Sequence, residues 1–190
     1  MTSPQEILDF WFVDGPDTKR MIWFQVNRDF DAACRHLCAD MLGPARQGAL
    51  DSWAASAQGA LALMLLLDQM PRNIHRGTAL AFASDEKARA LARDCCARGI
   101  DSELNLTQRG FMYLPFEHAE NLPDQDLSVR LFTALAREPG FDNPARTLDF
   151  VQRHQYVIHR FGRFPHRNAA LGRVSTVAEA DYLARPGAGF

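Results

Sequence analysis

The feature that most constrains the fold of this chain is the recurrence of helix-capping sequences from one end to the other. Residues 3–6, Ser-Pro-Gln-Glu, supply a capping serine, a proline suited to the first helical turn and a glutamate that can reach back to the cap. Residues 176–179, Thr-Val-Ala-Glu, repeat the capping pattern near the other end. No apolar–polar alternation typical of a β-strand persists for five residues. The sequence therefore predicts an all-α fold.

Apolar residues spaced three or four apart predict seven or eight helices, and the short loops between them make neighbouring helices antiparallel. Proline should interrupt this pattern, because its ring removes a backbone donor and clashes with the preceding turn. We expect one helix to stop ahead of Pro71 and another to kink or divide at Pro115. The predicted helices cover 3–12, 27–41, 57–70, 84–99, a stretch from 107, 124–137, 144–161 and a stretch from 176.

The length of the chain is suited to one domain. A chain of 190 residues that is 47% hydrophobic can bury a substantial core. No tract rich in glycine, proline or serine divides it. We expect a single all-α domain over residues 1–184 and a flexible C-terminal tail over residues 185–190.

The sequence predicts a cytoplasmic protein. The longest apolar run, residues 60–67, is eight residues long, whereas a membrane-spanning helix needs about 20. The N-terminal residues include an acid and a proline where a secretory signal would carry basic and then apolar residues.

The four cysteines are predicted to be reduced and to act as small apolar core residues. Cys34 and Cys38 are one helical turn apart, but the neighbours Cys95 and Cys96 would point about 100 degrees apart on a helix, which is poor geometry for a tetrahedral metal site. The sequence contains no HExxH pattern, P-loop, GxGxxG or GxSxG motif. We expect neither a metal nor a cofactor.

Positive charge is concentrated near the C-terminal end. Residues 150–178 contain five arginines and no aspartate or glutamate, and because the net charge of the chain is −2, the remainder sums to −7. A mildly acidic chain disfavours a protein that coats nucleic acid. A local basic patch that faces acids fits these charges better.

The densest part of this segment is RFGRFPHRNAALGR, residues 160–173. Arginine binds carboxylate or phosphate through a flat fork of paired donors. The pattern predicts strong polar contacts without naming their target. The candidate ligand-binding residues in and beside it are His159, Arg160, Arg163, His166, Arg167, Asn168 and Arg173.

Two clusters earlier in the chain are candidate counterparts. A helix beginning near Pro115 would place Glu117 and Glu120 on one face, where one carboxylate raises the proton affinity of the other, as in general acid–base pairs. We predict Glu117, His118 and Glu120 as catalytic residues. A second polar cluster directly follows the most apolar helix, and its ligand-binding candidates are Asp68, Arg72, Asn73 and Arg76.

Three interpretations of these clusters remain open. The arginines and acids could form a structural ion-pair network, whose desolvation cost can cancel its attraction. They could instead hold a small anionic ligand or substrate, or contact a protein or nucleic-acid partner. Spacing alone does not decide among the three.

Four ordered sequence blocks resemble a family of bacterial proteins known as domain of unknown function 924. The blocks are ILDFWF (7–12), LLDQMPRNIHRGTALAFASD (66–85), YLPFEHAE (113–120) and RFGRFPHRNAALGR (160–173). The resemblance covers nearly the whole chain. It implies a single compact domain of antiparallel helical hairpins similar to tetratricopeptide-repeat proteins, with paired helices stacked around a concave surface. It implies no activity.

Our first functional hypothesis is a helical domain that binds, or binds and turns over, a small anionic metabolite. Arg160, Arg163 and Arg167 would clamp the anion, and His118 or Glu120 would move a proton. One alternative is a tetratricopeptide-like interaction module that binds an acidic peptide in a groove lined by the aromatic residues near the N-terminus. Another is a nucleic-acid-binding protein, whose affinity would fall steeply with salt. The sequence indicates no membrane partner and does not determine the oligomeric state.

Overall fold

The fold is helical throughout the part of the chain that the computed structural model describes, residues 2–189, where no β-strand occurs. The all-α prediction is confirmed. Each predicted helix corresponds to an observed one, and the short helices α3 and α5 were not predicted. The helices are α1 (Pro4–Trp11), α2 (Arg28–Cys38), α3 (Leu42–Gln47), α4 (Ala57–Met64), α5 (Met70–Ile74), α6 (Asp85–Arg98), α7 (Leu106–Glu117), α8 (Leu122–Leu135), α9 (Pro144–Phe161) and α10 (Val177–Leu183).

Local capping chemistry explains where several of these helices begin. The Ser3 hydroxyl accepts a hydrogen bond from the Glu6 N–H at 3.3 Å, and the Glu6 carboxylate accepts one from the Ser3 N–H at 2.7 Å. Thr176 and Glu179 form the same reciprocal pair at the start of α10. Ser84 precedes α6, but its hydroxyl donates to the Leu67 carbonyl at 2.6 Å instead of capping the helix.

The most apolar helix continues past the proline at which we predicted it to stop. A π-helical turn, Leu65–Gln69, joins α4 to α5, and within it the Met70 N–H bonds to the Leu65 carbonyl five residues back. Pro71 then lies in the first turn of α5, where a missing N–H is tolerated. The predicted end of this helix is therefore wrong. Single π turns inside α-helices are frequent at functional sites, and this one contains Asp68.

The helix was predicted to kink or divide at Pro115, and it is not divided there. Helix α7 runs through Pro115 and ends at Glu117. Glu117 is therefore the last residue of α7, and Glu120 lies beyond the helix. The pairing hypothesis required the two glutamates to share a helix face, and they do not.

Helices that are close in sequence pack against one another around a single main core. Helix α8 lies between α7 and α9, α1 packs against α4, and α2 against α5. Every residue of α4 except one is buried. The aromatic residues near the N-terminus belong to this core, where Trp11 stacks on Trp23 with ring centroids 5.9 Å apart. Phe24 is the exception, with 52% of its surface exposed.

The cysteines behave as predicted. All four are free thiols, and Cys34, Cys38 and Cys95 are buried in the core. Burial raises the pKa of Cys34 and Cys38 to about 12, so both are neutral at physiological pH.

The C-terminal segment turns back onto the middle of the chain after α9. Gly162 ends α9 with φ 69°, a left-handed conformation that glycine adopts without strain. The next residues bury Phe164 and form a 3-10 turn, Pro165–Arg167. This turn carries the arginine-rich segment toward α6 and the end of α7.

The proposed domain limits stay a prediction, and their outermost residues, Met1 and Phe190, lie outside the described range. Within the predicted tail, the Gly187 carbonyl accepts a hydrogen bond from Arg153 at 2.6 Å. None of the described helices is long and apolar enough to cross a membrane.

Candidate functional site

The centre of the candidate site is a pair formed by Asp68 and His118. Asp68 lies in the π turn and is fully buried. Its Oδ1 lies 2.9 Å from Nδ1 of His118, the residue directly after α7. Gln69 donates to the other carboxylate oxygen at 2.6 Å. Burial disfavours ionisation, but the charge of Arg72 and the contact with His118 hold the pKa of Asp68 well below its usual range.

The charge state of Asp68 decides the tautomer of His118. Burial is the largest influence on the pKa of His118 and lowers it. The negative charge of Asp68 opposes this effect and the positive charges of Arg72 and Arg167 support it, so that the pKa lies below its usual value. The imidazole is therefore neutral at pH 7. Because an ionised carboxylate can only accept, the imidazole proton lies on Nδ1 and the lone pair on Nε2. Among residues 2–189, no hydrogen-bond partner occupies that Nε2.

Two arginines lie beside this pair and share one carboxylate. Arg72 contacts Asp68 at 3.3 Å and Asp85 at 3.0 Å, while Arg167 reaches Asp85 at 3.2 Å. Arg72 comes from the turn after Asp68, and Arg167 from the 3-10 turn after α9. The site therefore brings together guanidinium groups that are 95 residues apart in sequence.

Arg167 is held in an unusual environment for a charged side chain. Only 6% of its surface is exposed, and its guanidinium lies 4.6 Å from the ring centroids of both Phe82 and Phe164. Burial and the charge of Arg72 lower its pKa to about 10, so it remains charged at pH 7. In the described part of the chain, its buried Nε has no hydrogen-bond partner. Buried donors without partners are rare in folded proteins.

Glu120 fastens the C-terminal segment to the end of α7. Its carboxylate accepts two hydrogen bonds from Arg173, at 2.7 and 2.9 Å, and one from the Phe164 N–H at 2.7 Å. Asn168 supports Arg173 by accepting from its Nε at 3.0 Å. This paired geometry is the strongest form of arginine–carboxylate contact. It positions the turn that contains His166 and Arg167.

Glu117 lies behind the Asp68–His118 pair. Its carboxyl is buried, and Oε1 is 3.2 Å from Nδ1 of His154 on α9. That nitrogen also lies 2.9 Å from the Phe150 carbonyl, which can only accept, so Nδ1 carries a proton. Burial, reinforced by the negative charge of Asp68, raises the pKa of Glu117 to about 8. Glu117 is therefore a neutral acid at pH 7.

The structure brings together one part of the predicted site and leaves another part outside it. The polar cluster contains Asp68, Arg72, Glu117, His118, Glu120, His166, Arg167, Asn168 and Arg173. Asn73 and Arg76 instead bind Asp31 on α2, at 2.8 Å and 2.6 Å.

The last three candidates near the end of α9 also lie apart from the cluster. His159 and Arg160 are exposed. Arg163 forms a paired contact with Glu179 on α10, at 2.6 and 2.8 Å. The hypothesis that Arg160, Arg163 and Arg167 clamp one anion is therefore not supported by their placement, because only Arg167 points into the cluster.

Sequence reasoning did not assign a role in this site to Asp85, Gln69 or His154. Asp85 had been interpreted only as part of a helix cap, although it lies in the same sequence block as Asp68 and Arg72. Sequence spacing could not predict that Asp85, at the start of α6, would lie between Arg72 and Arg167. Within residues 2–189, no group of three histidine, cysteine, aspartate or glutamate side chains is arranged to hold a metal ion.

The buried ionisable groups predict that stability is greatest near pH 6.5. His118, His154 and His166 have pKa values lowered by burial, to about 4 for His166, so acidification below 6.5 favours the unfolded chain, which binds protons more readily. Glu117 has the opposite effect on stability, because its pKa in the folded protein, about 8, exceeds the ordinary 4.5. Its contribution to the free energy of unfolding is complete below pH 4.5 and is lost as the pH rises through 8.

Denaturant unfolding at pH 5, 6.5 and 8 tests this prediction. One proton at about 1.4 kcal/mol per pH unit gives a loss of about 2 kcal/mol between pH 6.5 and pH 8. Glu117→Gln should remove that alkaline loss and keep the acidic one. A wild-type protein whose stability rises steadily to pH 8 would contradict the assignment of Glu117 as a neutral buried acid.

Comparison with known proteins places this cluster in a family context. The family described as bacterial protein of unknown function (DUF924) matches residues 7–187. A solved structure of the protein of unknown function ATU0120 from Agrobacterium tumefaciens is 39% identical, covers 95% of this chain and 96% of its own, and superimposes with a TM-score of 0.84. No curated protein matches. The expectation drawn from the four sequence blocks is confirmed: the chain belongs to the bacterial DUF924 family.

Proposed function

We propose that the cluster around Asp68 and His118 binds a small anionic metabolite and transfers a proton to or from it. The observation that carries this proposal is a neutral histidine, oriented by the fully buried carboxylate of Asp68, beside two arginines that both contact Asp85. Arg72 also contacts Asp68, whereas Arg167 keeps a buried Nε with no partner in the described chain. The proposal therefore keeps the first hypothesis drawn from the sequence and changes the residues that contact the anion.

The arginines supply the affinity for the anion. Arg72 and Arg167 carry two positive charges and have Asp85 in common, and the Nε of Arg167 is a buried donor with no protein partner in the described chain. A phosphate or carboxylate oxygen near this edge would satisfy that donor. Partial burial strengthens the attraction relative to water.

His118 supplies the proton transfer. Its Nε2 lone pair can accept a proton from a bound molecule, and the imidazolium that forms would be stabilised by the Asp68 carboxylate 2.9 Å from Nδ1. Glu117 holds a proton at pH 7 and is electrostatically coupled to Asp68. Two groups whose environments push their pKa values apart in this way suit a base and an acid.

A melting screen against phosphates and carboxylates tests the proposal. A specific ligand at about 100 times its Kd stabilises the folded protein by about 2.7 kcal/mol. For a chain of this size that is a rise in melting temperature of roughly 5–10 °C. We expect at least one anion to produce such a shift at pH 7 and to produce a smaller one at high salt.

Matched arginine variants separate a site from general charge. Arg167→Gln should abolish the shift caused by the anion, whereas Arg160→Gln should preserve it, because Arg160 is exposed and contacts Tyr156 and Phe161 outside the polar cluster. His118→Gln should retain binding and lose turnover. Equal ligand shifts in the Arg167 and Arg160 variants, or no shift from any anion, would refute the proposal.

The other functional hypotheses stay predictions. The aromatic residues proposed to line a peptide groove include Trp11, Phe12 and Trp23, which are buried, so an acidic peptide would have to bind mainly through Phe24 and its exposed neighbours. Binding to nucleic acid is tested by its dependence on salt. The cytoplasmic location and the tetratricopeptide-like stacking likewise remain predictions.

A further inference from the structure

A cavity lies beside the polar cluster. It has a volume of about 150 Å³ and lies between the 3-10 turn Met21–Phe24, helix α7 and the start of α9. Its wall is mainly apolar and includes six aromatic residues, Trp23, Phe24, Phe111, Phe132, Phe141 and Phe150. An apolar cavity of about this size can accept a single benzene ring. The cavity therefore has the volume and the surface of a site for one small ring.

Gly110 is the observation that makes this cavity more than a packing gap. It lies in the interior of α7 and lines the cavity. A Cβ at this position would meet only Cε1 of Phe132, at 4.0 Å, which is ordinary van der Waals contact, and the backbone here does not require glycine. Glycine inside a helix costs about 0.8–1 kcal/mol relative to alanine. The chain thus accepts a weaker helix at the position where any side chain would reduce the cavity.

Glu117 is the buried polar group of the wall. Glu117 lines the cavity from the last residue of α7, two turns after Gly110. A protonated carboxyl donates one hydrogen bond and favours an acceptor oxygen on the ligand. Lys19, Asp142 and Arg146 also line the cavity, and they influence one another electrostatically, so their charges are partly balanced without a ligand.

We propose that this cavity is a binding site for a neutral, ring-sized apolar molecule that carries one oxygen, such as an alcohol, phenol or ketone, with the ring against the aromatic wall and the oxygen on Glu117. A carboxylate on the ring is disfavoured because the negative charge of Asp68 lies on the same side as Glu117. The inference goes beyond the proposed function and does not depend on anion binding. The two proposals share Glu117, but the ligand, the rest of the cavity wall and Gly110 are separate from the arginines of the polar cluster.

Calorimetric titration with benzyl alcohol, toluene and benzoate at pH 7 tests the proposal. We expect benzyl alcohol to bind wild-type protein at least fivefold more tightly than toluene, and benzoate more weakly than either. Glu117→Leu should reduce the preference for benzyl alcohol over toluene to about one. If toluene and benzyl alcohol bind wild-type protein equally, the role of Glu117 is wrong, and if neither binds, the site is wrong.

Substitutions at Gly110 provide the decisive control. Gly110→Leu should fill the cavity and weaken the binding of benzyl alcohol at least tenfold, whereas Gly110→Ala should raise the melting temperature and weaken binding by a smaller factor, because one methyl group removes less of the cavity. Should Gly110→Leu fail to fold, Leu114→Phe fills the same cavity from the next turn of α7. Unchanged affinity in a folded cavity-filling variant would overturn the inference. Neither variant alters Arg72, His118 or Arg167, so the anion screen remains an independent measurement.

Discussion

Replacing Asp68 with alanine should lower the free energy of unfolding by about 3–5 kcal/mol, the cost of removing one partner from a buried ion pair. Asp68 is fully buried and is the shared acceptor for Arg72, His118 and Gln69. Its removal leaves those donors in a cavity that water reaches poorly. Denaturant unfolding at pH 7 measures the loss, which corresponds to a fall in melting temperature of roughly 6–20 °C.

Asp94→Ala is a matched control for this substitution. Asp94 also pairs with an arginine four residues later in a helix, Arg98, but both side chains are about half exposed. Exposed pairs of this kind contribute about 0.3–0.5 kcal/mol. If both variants lose the same small amount of stability, Asp68 is not the buried centre of the cluster.

Replacing Glu120 with alanine should have the second largest effect, a loss of about 2–3 kcal/mol, because it removes an acceptor that serves both Arg173 and the Phe164 N–H. The expected cost is smaller than for Asp68 because about a quarter of each charged side chain is exposed. The same change releases the turn that carries Arg167. We therefore expect anion-induced stabilisation to be lost together with folding stability, as a melting series with and without phosphate would measure.

Glu138→Ala is the control for this second prediction. Glu138 is about half exposed and contacts Arg109 only at 3.9 Å, so its loss should change stability by less than about 0.5 kcal/mol. A Glu120 variant as stable as the Glu138 variant, with an intact response to phosphate, would show that the C-terminal segment is held by other contacts.

The helical fold was predictable because helix caps act within a few residues of sequence. The Ser3–Glu6 and Thr176–Glu179 pairs, and the glycine that ends α9, are local devices with local signals. The two errors at prolines have a tertiary origin. A π turn within the buried core lets the helix continue past Pro71. Helix α7 includes Pro115 among buried residues of the core, whose packing offsets the cost of the proline.

The sequence predicted many of the residues of the candidate site, but not which arginine would bind which acid. A segment with five arginines and no acid implies that their acidic partners lie elsewhere in the chain. Arg173 does bind Glu120 and Arg167 does bind Asp85, and both acids lie in the middle of the chain. Charge sums cannot say which arginine meets which acid. Arg163 pairs with Glu179, an acid just beyond the end of that segment.

The central claim is that His118 is a neutral base oriented by Asp68 and placed beside an anion site. Nitrogen-15 NMR of the histidine side chains, with His118 assigned by comparison with His118→Gln, measures its tautomer, its pKa and its response to inorganic phosphate. The account predicts a proton on Nδ1, an unprotonated Nε2 at pH 7, a pKa below the ordinary 6.5 and a rise in that pKa when phosphate is added. A His118 that titrates with an ordinary pKa and whose signals do not move with phosphate would contradict it.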